Sequence, residues 1–162
     1  MLVIASDHGG FELKEKIKEF LLKEENINVI DCGTFSKDRT DYPVFAEKLA
    51  EKIEEKVADK GILICKSGHG MNVAANKFKG IYASLCYSKE SVRKAVEDDN
   101  INVCVLSSDD LDFETAKEII EVFLNSKLKE GRYLDRFNMV KNIEEANFKK
   151  IDSNIRVKLS KN

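Results

Sequence analysis

Residues 61–77 read GILICKSGHGMNVAANK, and this stretch carries the features that decide the fold. GILIC (61–65) is a short apolar run typical of a buried strand, a glycine-containing loop follows it, and a short helix is predicted from about Gly70. Four similar runs occur elsewhere: LVIAS (2–6), INVID (27–31), IYASLC (81–86) and INVCVL (101–106). Nearly continuous apolar runs are typical of strands covered on both faces. We therefore predict five strands of a parallel sheet.

Amphipathic segments separate these strands. Residues 10–25, 44–57 and 112–125 repeat apolar side chains at helical spacing, and Pro43, the only proline, stands where a helix start tolerates it. The second pattern predicts a helix that extends to Val57 and buries that side chain. Strands alternating with helices of this length indicate βαβ units in one α/β domain. We assign residues 1–140 to this domain and residues 141–162 to an appended helix with a loose tail.

The composition is that of a soluble globular protein, with 43% hydrophobic and 35% charged residues. The net charge of −2 gives no field that would attract nucleic acid or a membrane surface. No apolar run approaches the ~20 residues of a membrane span, and the N-terminus does not resemble a signal peptide. The four cysteines form no C-x-x-C pair and there are two histidines, so we expect neither disulfides nor a metal site. These features favour a cytoplasmic location.

The candidate functional residues follow the first and third predicted strands, because ligands in such sheets lie beyond the carboxyl ends of the strands. Cys65 ends the third strand, and the loop after it can offer backbone amides to an oxyanion. A helix N-terminus nearby would lower the pKa of the thiol. We interpret Cys65 as a reactive residue; the alternative is a structural cysteine before a tight turn. After the first strand, Asp7 and His8 precede two glycines that open a helix, where Asp7 has the simpler interpretation of a helix cap.

Other phosphate-binding motifs are missing from the sequence. The segment does not match G-x-x-x-x-G-K-[ST], and no G-x-S-x-G hydrolase motif occurs. A cysteine phosphatase would be expected to have an arginine near position 71, which is Met71. Arg132 and Arg136 are four residues apart, so they share a helix face and can bind one phosphate, although such a pair is more often only solvated.

Five segments occur in order between Met1 and about Val140: SDHGGF (6–11), DYPVFA (41–46), GILIC (61–65), SGHGMNVAANK (67–77) and GRYLDR (131–136). Together they resemble the ribose-5-phosphate isomerase B family, which includes the galactose-6-phosphate isomerase subunits. The resemblance implies a three-layer α/β/α, Rossmann-like fold with a five-stranded parallel sheet. It also implies a metal- and cofactor-independent aldose–ketose isomerisation of a sugar phosphate through a cis-enediol, most directly of ribose 5-phosphate to ribulose 5-phosphate. The family's active sites form between two subunits, so a homodimer or homotetramer is expected.

The resemblance also assigns roles to residues. Cys65 would be the base, and Ser67 with the amides of Gly68 to Gly70 would hold the enediolate. The remaining substrate contacts would come from Asp7, which binds sugar hydroxyls, from Tyr42, which lines the pocket, and from the phosphate ligands His8, Arg132 and Arg136. We expect the arginine pair to share a half-site with the thiol.

Several residues depart from the family pattern. Lys66 replaces the usual glycine, His69 replaces a small or aliphatic residue, and Tyr82 and Asp109 replace arginines. The family's R-E-H-N-D segment is Val96-Glu97-Asp98-Asp99-Asn100 here, so Asp98 and Asp99 stand in place of the ring-opening histidine and a substrate-binding asparagine. We expect both aspartates on an exposed loop that belongs to the half-site lent by the partner subunit.

An aspartate is charged at neutral pH and is therefore a poor proton donor, whereas an imidazole can donate or accept a proton there. We hypothesise that His69 has taken over this acid–base work or contacts a hydroxyl of a different sugar; alternatively, it only fills its place in the loop. Three other functions remain open at this point. The chain could act on a hexose 6-phosphate, form one subunit of a heteromeric isomerase, or bind a sugar phosphate without turning it over.

Overall fold

The chain folds around a five-stranded parallel sheet. The structure is a computed structural model and describes residues 1–148. The strands are β1 (Leu2–Ser6), β2 (Val29–Asp31), β3 (Lys60–Cys65), β4 (Ala83–Leu85) and β5 (Val103–Ser107), in the order β2-β1-β3-β5-β4. The five predicted strands are confirmed, but β2 and β4 are shorter than the apolar runs that contain them.

The helices are α1 (Phe11–Lys23), α2 (Tyr42–Glu54), α3 (His69–Ala75), α4 (Lys89–Asp99), α5 (Phe113–Asn125) and α6 (Arg132–Phe148). Buried side chains of α1, α4 and α5 pack on one face of the sheet, and those of α2 and α3 pack on the other. Alternate strand residues enter the two cores: Leu2 and Ile4 enter the first, and Val3 and Ala5 the second. The three-layer α/β/α, Rossmann-like fold is confirmed.

Helix α2 is shorter than the hydrophobic pattern predicted. Phe45 and Leu49 are buried as expected, but the helix ends at Glu54, and Lys56 adopts a φ of 58°. This left-handed residue turns the chain away from the helix axis, so Val57 is 42% exposed. The prediction that Val57 continues the buried stripe was wrong, because side-chain periodicity does not reveal where the backbone leaves the helix.

Helix α4 corrects the expectation of an exposed loop before β5. Ser88 and Ser91 form a reciprocal capping box at its start, and Val92 and Val96 are buried against the sheet. The helix continues to Asp99, so Asp98 and Asp99 lie in its last turn. The polar run of acids hid this helix, because only two of its residues enter the core.

Helix α6 runs without a break across residue 140, so the end of the family-like segment is not a structural boundary. Residues 141–148 belong to this helix. The predicted tail from residue 149 lies outside the described residues. Within residues 1–148, none of the helices combines the length and the apolar character needed to cross a membrane.

The strand register places the candidate residues at the carboxyl edge of the sheet. Ser6 pairs with Ile64, so Asp7 follows directly beside Cys65 on the neighbouring strand. Cys65 in turn pairs with Ser107 at the end of β5. Since β3 is the central strand, the thiol lies where the loops after three strands meet.

Candidate active site

Cys65 is the last residue of β3 and is only 5% exposed. The backbone amides of Met71, Gly68 and Ser67 face its sulfur and act to lower the pKa of the thiol. The Met71 amide is available because the first N–H groups of a helix, here α3, have no partner within the helix; Ser67 and Gly68 precede α3 in the loop. The end of β3 and the start of α3 therefore surround the thiol with donors, as the loop sequence predicted.

The expected lowering of the Cys65 pKa was wrong. Burial is the largest influence and raises the pKa of this thiol above its ordinary value, and the negative charge of Asp7 raises it further. The three amides act in the opposite direction but do not offset the burial. A buried thiol beside a carboxylate thus remains protonated at neutral pH to a greater extent than an exposed one.

Two glycines allow the loop after the thiol, residues 65–70, to take its shape; we call it the thiol loop. Gly68 has a φ of 74°, and a Cβ on it would lie 2.3 Å from Cδ1 of Leu85. A Cβ on Gly70 would lie 2.8 Å from the ring of Tyr42. Tyr42 therefore packs directly on the thiol loop while remaining 39% exposed, which fits a residue that lines a pocket.

Asp7 and His8 are held in place on the strand next to the thiol. Asp7 is 7% exposed, and its Oδ1 accepts a hydrogen bond of 3.1 Å from the amide of Gly10. His8 Nδ1 lies 3.1 Å from the carbonyl oxygen and 3.2 Å from the amide nitrogen of Thr40, and its own amide donates to Thr40 Oγ1. Asp7 is not the helix cap of the simpler interpretation, because Gly10 is the N-cap of α1; its carboxylate holds the turn before the helix and lies beside Cys65.

Lys66 lies across the two loops. A Cβ on Gly9 would be 2.6 Å from its Cγ, so the stem of Lys66 lies against the loop after β1. Its carbonyl oxygen accepts hydrogen bonds from Ser107 Oγ (2.6 Å) and from the amide of Asp109 (3.0 Å). Within the described residues its ammonium group forms no ion pair, so it is available to a ligand.

The remaining predicted residues form a second group, which we call the arginine face: Asp98, Asp99, Arg132 and Arg136. Asp98 accepts a hydrogen bond of 2.9 Å from Lys129 Nζ, and Glu97 lies 2.9 Å from the same ammonium group. The two carboxylates raise the pKa of Lys129. Arg132 stacks on Tyr133 beside it and lies close enough to Asp98 to be influenced by its charge.

Arg136 and Asp99 share a cavity of about 210 Å³. Its other lining residues are Asn76, Tyr82, Ala83, Ile101, Phe137 and Val140. Tyr82 and Ile101 precede β4 and β5, so this cavity lies at the amino edge of the sheet. Six residues separate Ile101 from Ser107 beside Cys65, which corresponds to about 20 Å along a strand.

The expectation that the arginine pair shares a half-site with Cys65 was therefore wrong. The arginine face gathers both arginines with both aspartates, and one chain keeps this face away from the thiol loop. The order of the elements in the sequence was misleading here. Only α5 separates the carboxyl end of β5 from Arg132 and Arg136, but α6 then returns along α4 to the amino edge of the sheet.

His69 is the first residue of α3 and is exposed. Its ring makes no hydrogen bond within residues 1–148, so the structure leaves it free to meet a ligand. In the same part of the chain, no group of three or more His, Cys, Asp or Glu side chains is arranged to hold a metal ion.

The sequence analysis did not predict two groups that contact these residues, the Met71 amide and Lys129. The predicted anion-binding amides ended at Gly70, but α3 begins at His69, so the free amide of Met71 also reaches the sulfur. The signal was present in the sequence, because a helix start at either Gly70 or His69 leaves the Met71 amide without a partner within the helix. Lys129 gave no signal, because it lies 31 residues from Asp98 in the chain.

The fold and the site define a class of protein, an α/β protein suited to proton-transfer chemistry. A thiol beside a carboxylate, facing backbone amides at the carboxyl edge of a parallel sheet, offers a base together with a site for a developing oxyanion. Comparison with known proteins gives the family. The model of the family described as Ribose/Galactose Isomerase matches residues 2–140.

The relatives agree with this family. The ribose-5-phosphate isomerase B of Escherichia coli is 37% identical over 144 residues, covering 89% of this chain and 96% of its own. The solved ribose-5-phosphate isomerase B of Clostridium thermocellum superposes with a TM-score of 0.86 at 35% identity, covering 90% and 98% of the two chains. The enzyme from Mycoplasma genitalium, solved with bound ribulose-5-phosphate, gives a TM-score of 0.83 at 38% identity and covers 89% and 95%. The chain belongs to the ribose/galactose isomerase family and is a sugar-phosphate isomerase.

Proposed function

We propose that the chain interconverts ribose 5-phosphate and ribulose 5-phosphate, with Cys65 as the base that moves a proton between C2 and C1. The observation that carries this proposal is the environment of the Cys65 sulfur, which is buried and surrounded by three backbone amides next to Asp7. The substrate is inferred from relatives named ribose-5-phosphate isomerase B, one of which was solved with ribulose-5-phosphate bound.

The proposed reaction balances without a redox partner. The Cys65 thiolate removes the proton from C2 of the open-chain aldose, the C2 electron pair forms a C1=C2 bond, and the carbonyl electrons move to O1. O1 then gains a proton and O2 loses one, so the negative charge of the enediolate moves from O1 to O2. O2 thereby becomes the future carbonyl oxygen. The thiol returns its proton to C1, which gives the ketose and regenerates the thiolate. Each step needs an anion to be stabilised at one of the two oxygens.

The thiol loop supplies this stabilisation in the proposal. Ser67 and the amides of Gly68 to Gly70 would hold the enediolate oxygen, since fixed donors in a site closed to water stabilise developing charge strongly. Asp7 would bind sugar hydroxyls, Tyr42 would close one side, and the free ammonium group of Lys66 would add a positive charge beside the reacting carbons.

The phosphate would be bound between two subunits. His8 lies near the thiol of one chain, whereas Arg132 and Arg136 lie at the other edge of the sheet, so a single chain does not bring these phosphate ligands together. A second copy that places its arginine face opposite the thiol loop would complete the site. The proposal therefore includes a homodimer, alone or within a tetramer, with shared sites.

Ring opening requires a proton donor near the sugar ring oxygen. Asp98 is poorly placed for this work because its carboxylate already accepts a hydrogen bond from Lys129 at 2.9 Å. Asp99, which lines the cavity with Arg136, is suited to accept hydrogen bonds from sugar hydroxyls instead. His69, exposed at the edge of the thiol loop, remains the proposed acid.

Turnover by the purified chain tests the proposal. Ribose 5-phosphate is compared with allose 6-phosphate and with galactose 6-phosphate, and the ketose formed is measured for the chain and for Cys65→Ala. We expect ribose 5-phosphate to be preferred and kcat to fall about 10²–10⁴-fold in Cys65→Ala, the usual range for general base catalysis.

Cys32→Ala is the matched control, because Cys32 is a half-buried thiol outside the thiol loop. Near-normal turnover in Cys65→Ala would remove Cys65 from the mechanism. Preference for a hexose 6-phosphate would change the substrate while keeping the chemistry. Binding of all three sugars without turnover would indicate a binding protein or a missing second subunit.

A further inference from the structure

The end of helix α6 makes a set of contacts that the proposed function does not use. Glu144 accepts a hydrogen bond of 2.7 Å from the amide of Gly80 and one of 3.0 Å from the hydroxyl of Tyr82. Both partners lie in the segment between α3 and β4. Glu144 also lies beyond residue 140, where the match to the family model ends.

The segment that Glu144 contacts is held from both sides. Asn102 donates to the carbonyl oxygen of Gly80 at 2.7 Å and accepts from the amide of Tyr82 at 2.8 Å. Glu144 bonds the remaining donors, the Gly80 amide and the Tyr82 hydroxyl. Gly80 has a φ of 76°, a backbone conformation that other residues rarely adopt. This segment is therefore fixed to the sheet through Asn102 and to α6 through Glu144.

Two further contacts join the same elements. The rings of Tyr82 and Phe137 meet edge to face with centroids 4.9 Å apart, and Lys79 forms an ion pair of 2.7 Å with Glu145. Burial and the hydrogen bond to Glu144 raise the pKa of the Tyr82 hydroxyl, so it remains a donor across the neutral range. The ion pair is largely exposed and contributes little, which leaves Glu144 and the aromatic pair as the main connection.

We infer that Glu144 is a positioning residue that clasps α6 to the α3–β4 segment and thereby fixes Arg132 and Arg136 for phosphate binding. Arg136 lies directly before the first anchor, Phe137, and about two turns before the second, Glu144, and it lines the cavity with Tyr82. Asn76, at the end of α3, bonds both the amide and the carbonyl of Ala83, so the clasped segment is also tied to the helix that starts in the thiol loop. The orientation of the arginines relative to α3 is thus set partly by a residue outside the family-like region.

The kinetic test of this inference rests on the proposed function. Phosphate binding gives a second test that does not depend on turnover. Glu144→Ala removes both hydrogen bonds; we expect KM for ribose 5-phosphate and the dissociation constant for inorganic phosphate, measured by calorimetry, to rise about three- to tenfold. We expect kcat to change less than twofold, because no reacting atom is touched. Glu144→Gln keeps an acceptor for Gly80 and a partner for Tyr82, so it is expected to restore values near those of the unmodified chain.

Two variants keep the test decisive. Tyr82→Phe removes one of the two hydrogen bonds and retains the ring contact, so it reports on the clasp even if Glu144→Ala unfolds. Asn142→Ala changes an exposed residue of the same helix and should alter nothing. If KM and phosphate affinity are unchanged in Glu144→Ala and in Tyr82→Phe, the inference is overturned. If the unmodified chain shows no turnover but phosphate affinity still falls in Glu144→Ala, the proposed reaction fails and the clasp stands.

Discussion

The thiol loop and the arginine face are built in different ways. The thiol loop is one continuous stretch whose ligands are mostly backbone amides, and its shape depends on two glycines and the start of α3. The arginine face consists of side chains from α4 and α6; Lys129 contacts Asp98 of α4, while Tyr82 and Glu144 connect α6 to the segment before β4. The first region therefore tolerates few substitutions, whereas the second can exchange charges between helices while the fold remains unchanged.

This difference fits the pattern of departures from the family. In the thiol loop the substituted positions, Lys66 and His69, are exposed, and the amides that face the sulfur are unaffected. On the arginine face, Asp98 accepts a hydrogen bond from Lys129. Backbone donors are thus positioned by local geometry, while the arginine face depends on side-chain contacts between distant segments.

The largest expected effect comes from breaking the thiol loop itself. Gly68→Ala introduces a Cβ at a φ of 74° and in collision with Leu85, so the loop must move and the amides that the proposal assigns to the enediolate oxygen are displaced. We expect kcat to fall about 10²–10³-fold, as when an oxyanion donor is removed. Gly131→Ala is the matched control, because Gly131 also has a positive φ of 66° but has open space around it. Equal losses in the two variants would mean that backbone strain, not the loop geometry, is responsible.

The arginine face is expected to affect binding more than turnover. In Arg132→Ala/Arg136→Ala, we expect KM for ribose 5-phosphate to rise about 10–100-fold while kcat changes less, since phosphate is bound in both the ground and the transition state. Steady-state kinetics measures the split. Arg93→Ala, an exposed arginine on α4 away from the cavity, serves as the control. An unchanged KM would place the phosphate site elsewhere.

Because a single chain separates the two regions, mixing two impaired variants sharpens the comparison. Activity is measured at ribose 5-phosphate concentrations well below the KM of the arginine variant, where both variants turn over slowly. Cys65→Ala and Arg132→Ala/Arg136→Ala each disable a different half-site, and a mixed dimer contains one site with both halves intact. We expect the mixture to recover roughly a quarter of the normal activity if subunits exchange at random in equal amounts. Recovery is measured after co-refolding, with sedimentation to establish the dimer. An active monomer, or no recovery in a proven mixed dimer, would contradict the shared site.

The raised pKa of Cys65 predicts the pH dependence. With the Cys65 thiolate as the proposed base, a pKa above the ordinary thiol value means that kcat/KM continues to rise with pH, by about tenfold per unit below that pKa. Alkylation of Cys65 in the free protein, followed by peptide mass spectrometry, should show the same dependence. In Asp7→Asn a charge that raises the pKa is removed, so the alkylation profile is expected to shift to lower pH. A profile that levels below the ordinary thiol range would contradict the effect of burial.

The smallest expected effect concerns His69. If His69 opens the sugar ring, His69→Asn lowers kcat/KM about tenfold on ribose 5-phosphate, which cyclises, and hardly at all on erythrose 4-phosphate, which does not form a stable ring. Lys66→Gly separates the two roles: the proposal gives Lys66 only a positive charge beside the reacting carbons, so its loss is expected to affect both sugars alike. A loss within a few-fold on both sugars would leave His69 without a role in ring opening.

The sequence was sufficient wherever the signal is local. Apolar runs gave all five strands, the pattern from Cys65 to Lys77 gave the strand–loop–helix unit, and Pro43 marked the start of α2. The signal failed at α4, whose charged surface concealed two buried valines, and at Val57, where a left-handed residue interrupts the periodicity. Both failures occurred where a backbone dihedral or a short buried stripe decides the structure.

The same distinction between local and long-range signals applies to the site. Sequence by itself determined that a thiol ends a buried strand and faces the amides of the loop after it, because residues only a few positions apart in the chain must lie close together. Only the tertiary structure decided that burial and Asp7 raise the pKa of that thiol, and that Arg136 lies with Asp99 at the opposite edge of the sheet. Those facts depend on strand order and on how α6 returns along α4, and long-range packing of this kind leaves no periodic trace in the chain.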